Sequence, residues 1–254
     1  MPIEEYTKEE MPAVGKRVIV EMTSTQNDMT GVGFFTVKKG SPDKLLSDAP
    51  DAEKNEYSLV SEGILDSLSG FDYELKVYPD MRYAYMATSK EIMEAAKDFD
   101  GILSIGTGSV NDVCRYAAAQ TNKAFAIFAT APSMDGFASY GAPIVCNGFK
   151  FSYDAKSPEV IIADTKILAA APAHLKSSGF GDMIAKYVSI CEWRMAHIIT
   201  GEYYCEEIAA MVKTALKKCT DNADGLLKRD ETAVAAVFEG LIITGLAMSY
   251  AGVS

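Results

Sequence analysis

Near residue 165 the sequence changes character, and that change limits the folds open to the chain more than any single motif does. Before it, short β-branched or aromatic runs alternate with stretches of helical periodicity, the pattern of a parallel sheet with crossover helices. Strands are predicted at Lys16–Met22, Gly33–Lys38, Tyr57–Val60, Tyr73–Tyr78, Gly101–Ile105, Ala124–Phe128 and Val160–Ala163. Helices are predicted at Ser89–Phe99, where Ile92, Met93 and Ala96 recur at helical spacing, and at Asn111–Thr121. Ala142–Cys146 and Phe149–Tyr153 flank Asn147-Gly148. Asn-Gly between apolar runs signals a hairpin, because a type I′ turn needs positive φ at both central residues. After Thr165, apolar residues fall at i, i+3 and i+4 through Asp182–Ile199, Tyr203–Lys218 and Arg229–Gly252. The expected fold class is α/β, with a parallel-sheet domain over residues 1–165 and an all-α domain over residues 166–254. A cleft between the two is the natural place for a ligand.

Composition narrows the partners. The 254 residues are 48% apolar and 23% charged, as in ordinary soluble globular proteins. Asp and Glu outnumber Lys and Arg by 35 to 24, a formal charge of −11. Such a field repels a polyphosphate backbone, so neither nucleic acid nor an anionic membrane surface is expected as a partner. Residues Met1–Glu10 are polar and acidic, without the apolar core of a secretory signal. Cys114, Cys146, Cys191, Cys205 and Cys219 show no CxxC spacing, and an odd count fits free thiols in a reducing cytoplasm. Ala233–Val253 is the one run resembling a membrane span. It carries Glu239 near its middle, and a mid-bilayer carboxylate is costly, so a buried helix and no membrane span are expected.

Three motifs carry the chemistry. Gly106-Thr-Gly-Ser-Val-Asn-Asp112 follows an apolar strand and opens a helix. Gly106 and Gly108 remove side chains where backbone would approach a phosphate, and the helix start offers amide donors and a positive dipole end. Ser109 adds a hydroxyl, and Asp112 is expected in the first turn, where a carboxylate also suits capping. The spacing is not GxGxxG, and on its own a glycine pair after a strand suits a plain turn as well as a phosphate cradle. Thr130-Ala-Pro-Ser133 and Met134-Asp-Gly-Phe-Ala-Ser139 follow the next strand, so two adjacent strand ends present Gly, Ser, Thr and Asp to a ligand. Asp135 there is either a capping residue or a ligand contact. Ser177-Ser-Gly-Phe-Gly-Asp182 is expected to lead into the first long helix of the second half. Asp182 would then be an N-cap, or a carboxylate over the cleft able to bind a divalent metal, with Lys186 as an i,i+4 partner. His174, expected in a loop, and His197 are the only histidines, and no HxxxH or HExxH is present. No GxSxG elbow appears either.

In this order and at these distances the three motifs resemble the glycerol-1-phosphate dehydrogenase family, within the group holding the iron-containing alcohol dehydrogenases, glycerol dehydrogenase and dehydroquinate synthase. The likeness runs from about Phe99 to Ser254. It implies a Rossmann-like nucleotide-binding domain followed by a helical metal- and substrate-binding domain, C-terminally incomplete in this chain. By motif position Gly106, Gly108, Ser109, Val110, Asn111, Asp112, Thr130, Ser133 and Ser139 would contact NAD or NADP. Asp135 would touch substrate, and Asp182 would meet both substrate and metal, which makes these two the implied catalytic residues. The implied reaction is reversible hydride transfer between NAD(P)H and dihydroxyacetone phosphate, giving sn-glycerol 1-phosphate. Zn2+ is the expected metal, with Ni2+ as an alternative, and a homo-oligomer is expected. Two departures stand out. The family continues past the equivalent of Ser254 into a segment with histidine ligands, and in place of its ribose-binding Asp this chain has Tyr57-Ser-Leu-Val-Ser-Glu62, where Glu62 could substitute. The alternatives are a related polyol dehydrogenase such as glycerol dehydrogenase, or a nucleotide-binding module with an incomplete metal site.

Overall fold

The computed structural model describes residues 31–36, 72–78, 81 and 83–251. The strands predicted at 16–22 and 57–60, and Ser61-Glu62, lie outside the described residues. A five-stranded sheet is built from β1 (Gly31–Thr36), β2 (Asp72–Val77), β3 (Gly101–Gly106), β4 (Ala124–Ala129) and β7 (Val160–Ala163), in the order β2-β1-β3-β4-β7. β3, β4 and β7 run parallel. These three strands agree with the expected parallel sheet, and β1 makes the whole sheet mixed, since it is antiparallel to both β2 and β3. An apolar run of this length marks a strand but carries no information on its direction. Helix α1 (Met86–Ala95) crosses from β2 to β3, and β1 occupies the gap between them in the opposite sense.

All six residues of β3 are buried, and β4 is buried from Phe125 onward. These continuous apolar strands are what a sheet covered on both faces requires. Helix α2 (Gly108–Thr121) runs back from β3 and ends at Asn122, in the left-handed conformation at φ 52°. The hairpin of β5 (Gly141–Cys146) and β6 (Phe149–Asp154) turns at Asn147 (φ 52°) and Gly148 (φ 82°), as the type I′ reading predicts.

From Thr165 the described chain is helical: α3 (Thr165–Ala170), α4 (Ala173–Thr200), α5 (Glu206–Asp221), a 3-10 turn (Ala223–Lys228) and α6 (Glu231–Ala251). Asp164 caps α3 by accepting from the amides of Lys166 and Ile167. Helix α4 starts nine residues before Asp182, so the expectation that Ser177–Asp182 is a loop leading to a helix is overturned. Gly179 and Gly181 are interior helix residues, and His174 lies in the first turn of α4 rather than in a loop. Helix α6 is long and apolar enough to cross a membrane by length and composition. Its buried residues, among them Val234, Val237, Leu241 and Thr244, pack into the helical half. Glu239 lies exposed and pairs with Lys218 of α5. A single apolar cluster joins Phe125 and Ile127 of the sheet to Met183, Leu216, Val237 and Leu241 of the helices. Phe137 and Phe238 meet edge-on at its centre, 5.1 Å between ring centroids.

Candidate functional site

β3 ends in Gly106 at φ 150°, a backbone conformation that essentially only glycine adopts. Thr107 stays extended and accepts the first intrahelical bond, Asn111 N to Thr107 O at 3.0 Å, so α2 begins within two residues of the strand. The side chain of the N-cap residue Thr107 makes no capping hydrogen bond, and the positive dipole end of α2 lies at the C-terminal end of β3. Gly108, Ser109 and Val110 form the first turn, with Val110 buried. Asn111 is wholly buried; Ser104 donates to its Oδ1, and its Nδ2 has no partner among the described residues. Asp112 is the fifth residue of α2, beyond the first turn where it was expected, and it is buried. Burial pushes its carboxyl up to about 7, against the opposing pull of Arg115 first and Lys150 second.

The second loop is tied to the first. Thr130 N donates to Gly106 O at 3.1 Å, continuing the β3–β4 pairing by one residue. Thr130 is buried and Ser133 half-buried. Met134 then folds over the cradle. A Cβ on Gly108 would meet Met134 Cγ at 3.4 Å, and Gly136 N donates to Met134 Sδ at 2.8 Å. Beyond Asp135, the 3-10 turn Gly136–Ala138 leads to Ser139. Ser139 Oγ accepts from Arg115 Nη1 at 3.2 Å and lies 3.2 Å from the carbonyls of both Gly136 and Gly141, either of which can take its proton. Arg115 belongs to none of the three sequence motifs. Its partners are chiefly backbone carbonyls more than twenty residues away, a relation that no local pattern encodes.

Helix α4 closes the site. A Cβ on Gly179 would lie 1.9 Å from Pro132 O, so this glycine lets the helix lie directly on the second loop. One turn later, Asp182 Oδ2 accepts from Asp135 N at 3.2 Å. Lys186, expected to pair with Asp182 along the helix, instead forms its ion pair with Asp135 Oδ2. The second loop inserts Asp135 beside the helix, and a direct partner outcompetes a weak i,i+4 pair. Burial, then the charge of Asp135, pushes the Asp182 carboxyl up, opposed by Lys186 and by the Asp135 amide. From the opposite side, α6 presses on the same loop at Gly245, where a Cβ would stand 2.5 Å from Asp135 O.

Gly106, the first turn of α2 and the adjacent Thr130–Ser133 segment bring main-chain amides and hydroxyls together at two neighbouring strand ends, groups of the kind that bind phosphate. Around Asp182 the donor set is two carboxylates, one of them already neutralised by an ammonium. Among the described residues no three His, Cys, Asp or Glu side chains stand close enough together to hold a metal ion. His174 and His197 are exposed on α4, roughly 12 and 22 Å along the helix axis from Asp182.

Residues 51–172 match the family model described as iron-containing alcohol dehydrogenase. The chain is also similar to glycerol-1-phosphate dehydrogenases [NAD(P)+]. That of Bacillus velezensis is 33% identical over 203 residues, 77% of this chain and 52% of that protein. The enzyme of Thermococcus kodakarensis is 35% identical over 184 residues, covering 72% of this chain and 52% of that one. The chain thus spans about half the length of these relatives. The fold is shared with glycerol dehydrogenase from Schizosaccharomyces pombe (TM-score 0.61, 20% identity, 77% of this chain and 53% of that one). It is shared also with sulfoacetaldehyde reductase from Bifidobacterium kashiwanohense in complex with NAD+ (TM-score 0.58, 16% identity, 78% and 57%).

Proposed function

We propose that this chain carries the nucleotide-binding half and part of the substrate site of an NAD(P)-dependent glycerol-1-phosphate dehydrogenase. The reaction is reversible hydride transfer between NAD(P)H and dihydroxyacetone phosphate, giving sn-glycerol 1-phosphate. In this reading residues 1–165 hold the cofactor and residues 166–254 contribute to the metal and substrate site. Gly106–Asp112 takes the pyrophosphate at the helix end, and Thr130, Ser133 and Ser139 line the neighbouring strand end. Asp135, held by Lys186, faces the polar end of the substrate. A divalent metal, zinc or alternatively nickel, would polarise the substrate carbonyl as a Lewis acid, and Asp182 is the described residue that would hold it. The setting is a reducing cytoplasm. Self-association through the exposed apolar residues of α4, such as Val188, Ile198 and Ile199, belongs to the same reading.

The observation that carries this proposal is the junction of the three motifs, in which Thr130 N meets Gly106 O, Asp135 N meets Asp182, Lys186 meets Asp135, and Gly179 rests on Pro132. Titration of the chain with NADH and NADPH, followed by nucleotide fluorescence, tests the cradle and decides between the two nucleotides. Gly108→Ala sharpens it: its methyl meets only Met134 at ordinary contact distance, so the fold is kept while the approach of a phosphate is blocked. An affinity loss of about tenfold is expected, the equivalent of one displaced phosphate contact. Unchanged affinity in Gly108→Ala would remove the pyrophosphate from this loop. Turnover of dihydroxyacetone in preference to its phosphate by the full-length enzyme would transfer the reading to glycerol dehydrogenase.

A second reading is favoured by one observation, the lack of a three-ligand metal group among the described residues. It holds that these 254 residues bind nucleotide without turnover. NADH binding with no NADH consumption on adding dihydroxyacetone phosphate and Zn2+ is its signature.

A further inference from the structure

We propose that Arg115 is the positioning residue for Asp135, fastening the substrate loop to the helix that forms the nucleotide cradle. The proposal rests on the functional reading above, since it assigns Asp135 to the substrate. Arg115 is fully buried in α2, one turn beyond Asp112. Its Nη1 donates to Ser139 Oγ at 3.2 Å and Gly141 O at 2.8 Å. Its Nη2 donates to Gly136 O at 2.5 Å and Phe137 O at 3.0 Å. All four acceptors belong to the segment directly after Asp135. Asp112 Oδ1 lies 3.6 Å from Nη1 on the same helix and balances the guanidinium when its carboxyl is ionised, above about pH 7, while the four donors go to the loop.

A fully desolvated guanidinium is costly, and a loop with only a structural task could be closed by an apolar side chain. A planar fork with four donors fixes a loop in both distance and orientation, which an apolar contact does not. The orientation matters one residue upstream. Asp135 N points at Asp182 Oδ2, and its carboxylate receives Lys186. The loop also rests on Gly245 of α6 and, through Pro132, on Gly179 of α4. These two contacts are steric and limit only how near the loop can come. Arg115 supplies the directional bonds that hold it there, so the aim of Asp135 is set from α2.

Lys186 reports on that aim. Its side chain is 16% exposed and paired with Asp135, and both features slow acylation of the amine. The chain, Arg115→Lys, Arg115→Met, Ser139→Ala and Asp135→Asn are labelled with acetic anhydride, and Lys186 acetylation is followed by mass spectrometry. Lys217 of α5 serves as the control amine, and melting temperature as the measure of folding. In Arg115→Lys a single ammonium replaces the fork. Lys186 labelling is expected to rise several-fold, to the level of Asp135→Asn, with Lys217 unchanged. Ser139→Ala, which removes one of the four acceptors, is expected to give a smaller rise and covers the case in which the Arg115 variants do not fold. Wild-type Lys186 labelling in a folded Arg115→Lys chain overturns the proposal, as does wild-type labelling in Ser139→Ala if neither Arg115 variant folds. A rise at Lys217 equal to that at Lys186 also overturns it, since it marks a global role. Failure of the wild-type chain to bind NADH or NADPH would overturn the functional reading alone, because the labelling needs no nucleotide.

Discussion

The Gly-rich segments that precede Asp112 and Asp182 look alike in sequence and do different physical work. In the first, Gly106 is needed for its dihedral angle: the chain leaves β3 at φ 150° and enters α2 within two residues. In the second, Gly179 sits in the interior of α4 with ordinary helical backbone and is needed for its missing side chain, because Pro132 O occupies the place of a Cβ. The first motif starts a helix at the strand end, where the proposed nucleotide would approach. The second lets a helix side lie on the loop that borders that ligand. A glycine pair before an aspartate therefore indicates close backbone approach, and only the tertiary contact decides whether the approaching group is a ligand or another segment of the chain.

Substitutions at these glycines separate the two roles, and the largest effect is expected at Gly179. Gly179→Ala forces its methyl against a backbone carbonyl that has no rotamer to change, so either α4 or the 130–135 loop must move. A loss of about 3 kcal/mol is expected, a fall in melting temperature of roughly 6–12 °C. A melting temperature within a degree of wild type would mean that α4 and the loop do not touch as described. Gly106→Ala comes next. It meets dihedral strain of about 2 kcal/mol, together with weakened NADH binding that Gly179→Ala should show only through its lower stability. Denaturant melts run with and without NADH distinguish them.

The aspartates extend the comparison to pH. Asp112 is buried with its folded carboxyl raised to about 7 from an unfolded value of 3.8. Between those values the native state keeps a proton that the unfolded chain releases, so this contribution to stability is complete below the unfolded value and declines as pH rises to the folded one. A fall on the order of 1 kcal/mol is expected from about pH 5 to pH 7 in urea melts. Asp112→Asn should flatten that slope, whereas an equally steep slope in the variant would assign it to another group.

The sequence discloses some of these features and conceals others for identifiable reasons. β3, β4 and the Asn147-Gly148 hairpin are legible because continuous burial and paired positive φ angles are local demands. The reversed direction of β1 is not, since it depends on which strands lie on either side. The start of α4 is misread because glycine counts as a breaker until the contact that requires it is known. Arg115 is invisible for a related reason: it binds carbonyls, which every residue has, so nothing in the composition of residues 136–141 marks them as its partners.

Gly181 gives the smallest effect and the sharpest division within one motif. It stands two residues from Gly179 in the same helix, but a Cβ there meets nothing within 4 Å. Its φ is not in the left-handed region, so neither the dihedral argument for Gly106 nor the contact argument for Gly179 applies to it. What remains is intrinsic helix propensity, and in a helix interior alanine is better than glycine by about 0.5–1 kcal/mol. Gly181→Ala should therefore raise the melting temperature by roughly 1–4 °C, opposite in sign to Gly179→Ala. Should Gly181→Ala destabilise the chain as well, the pair would be acting together as a flexible joint in α4, and close packing at Gly179 alone would no longer account for the motif.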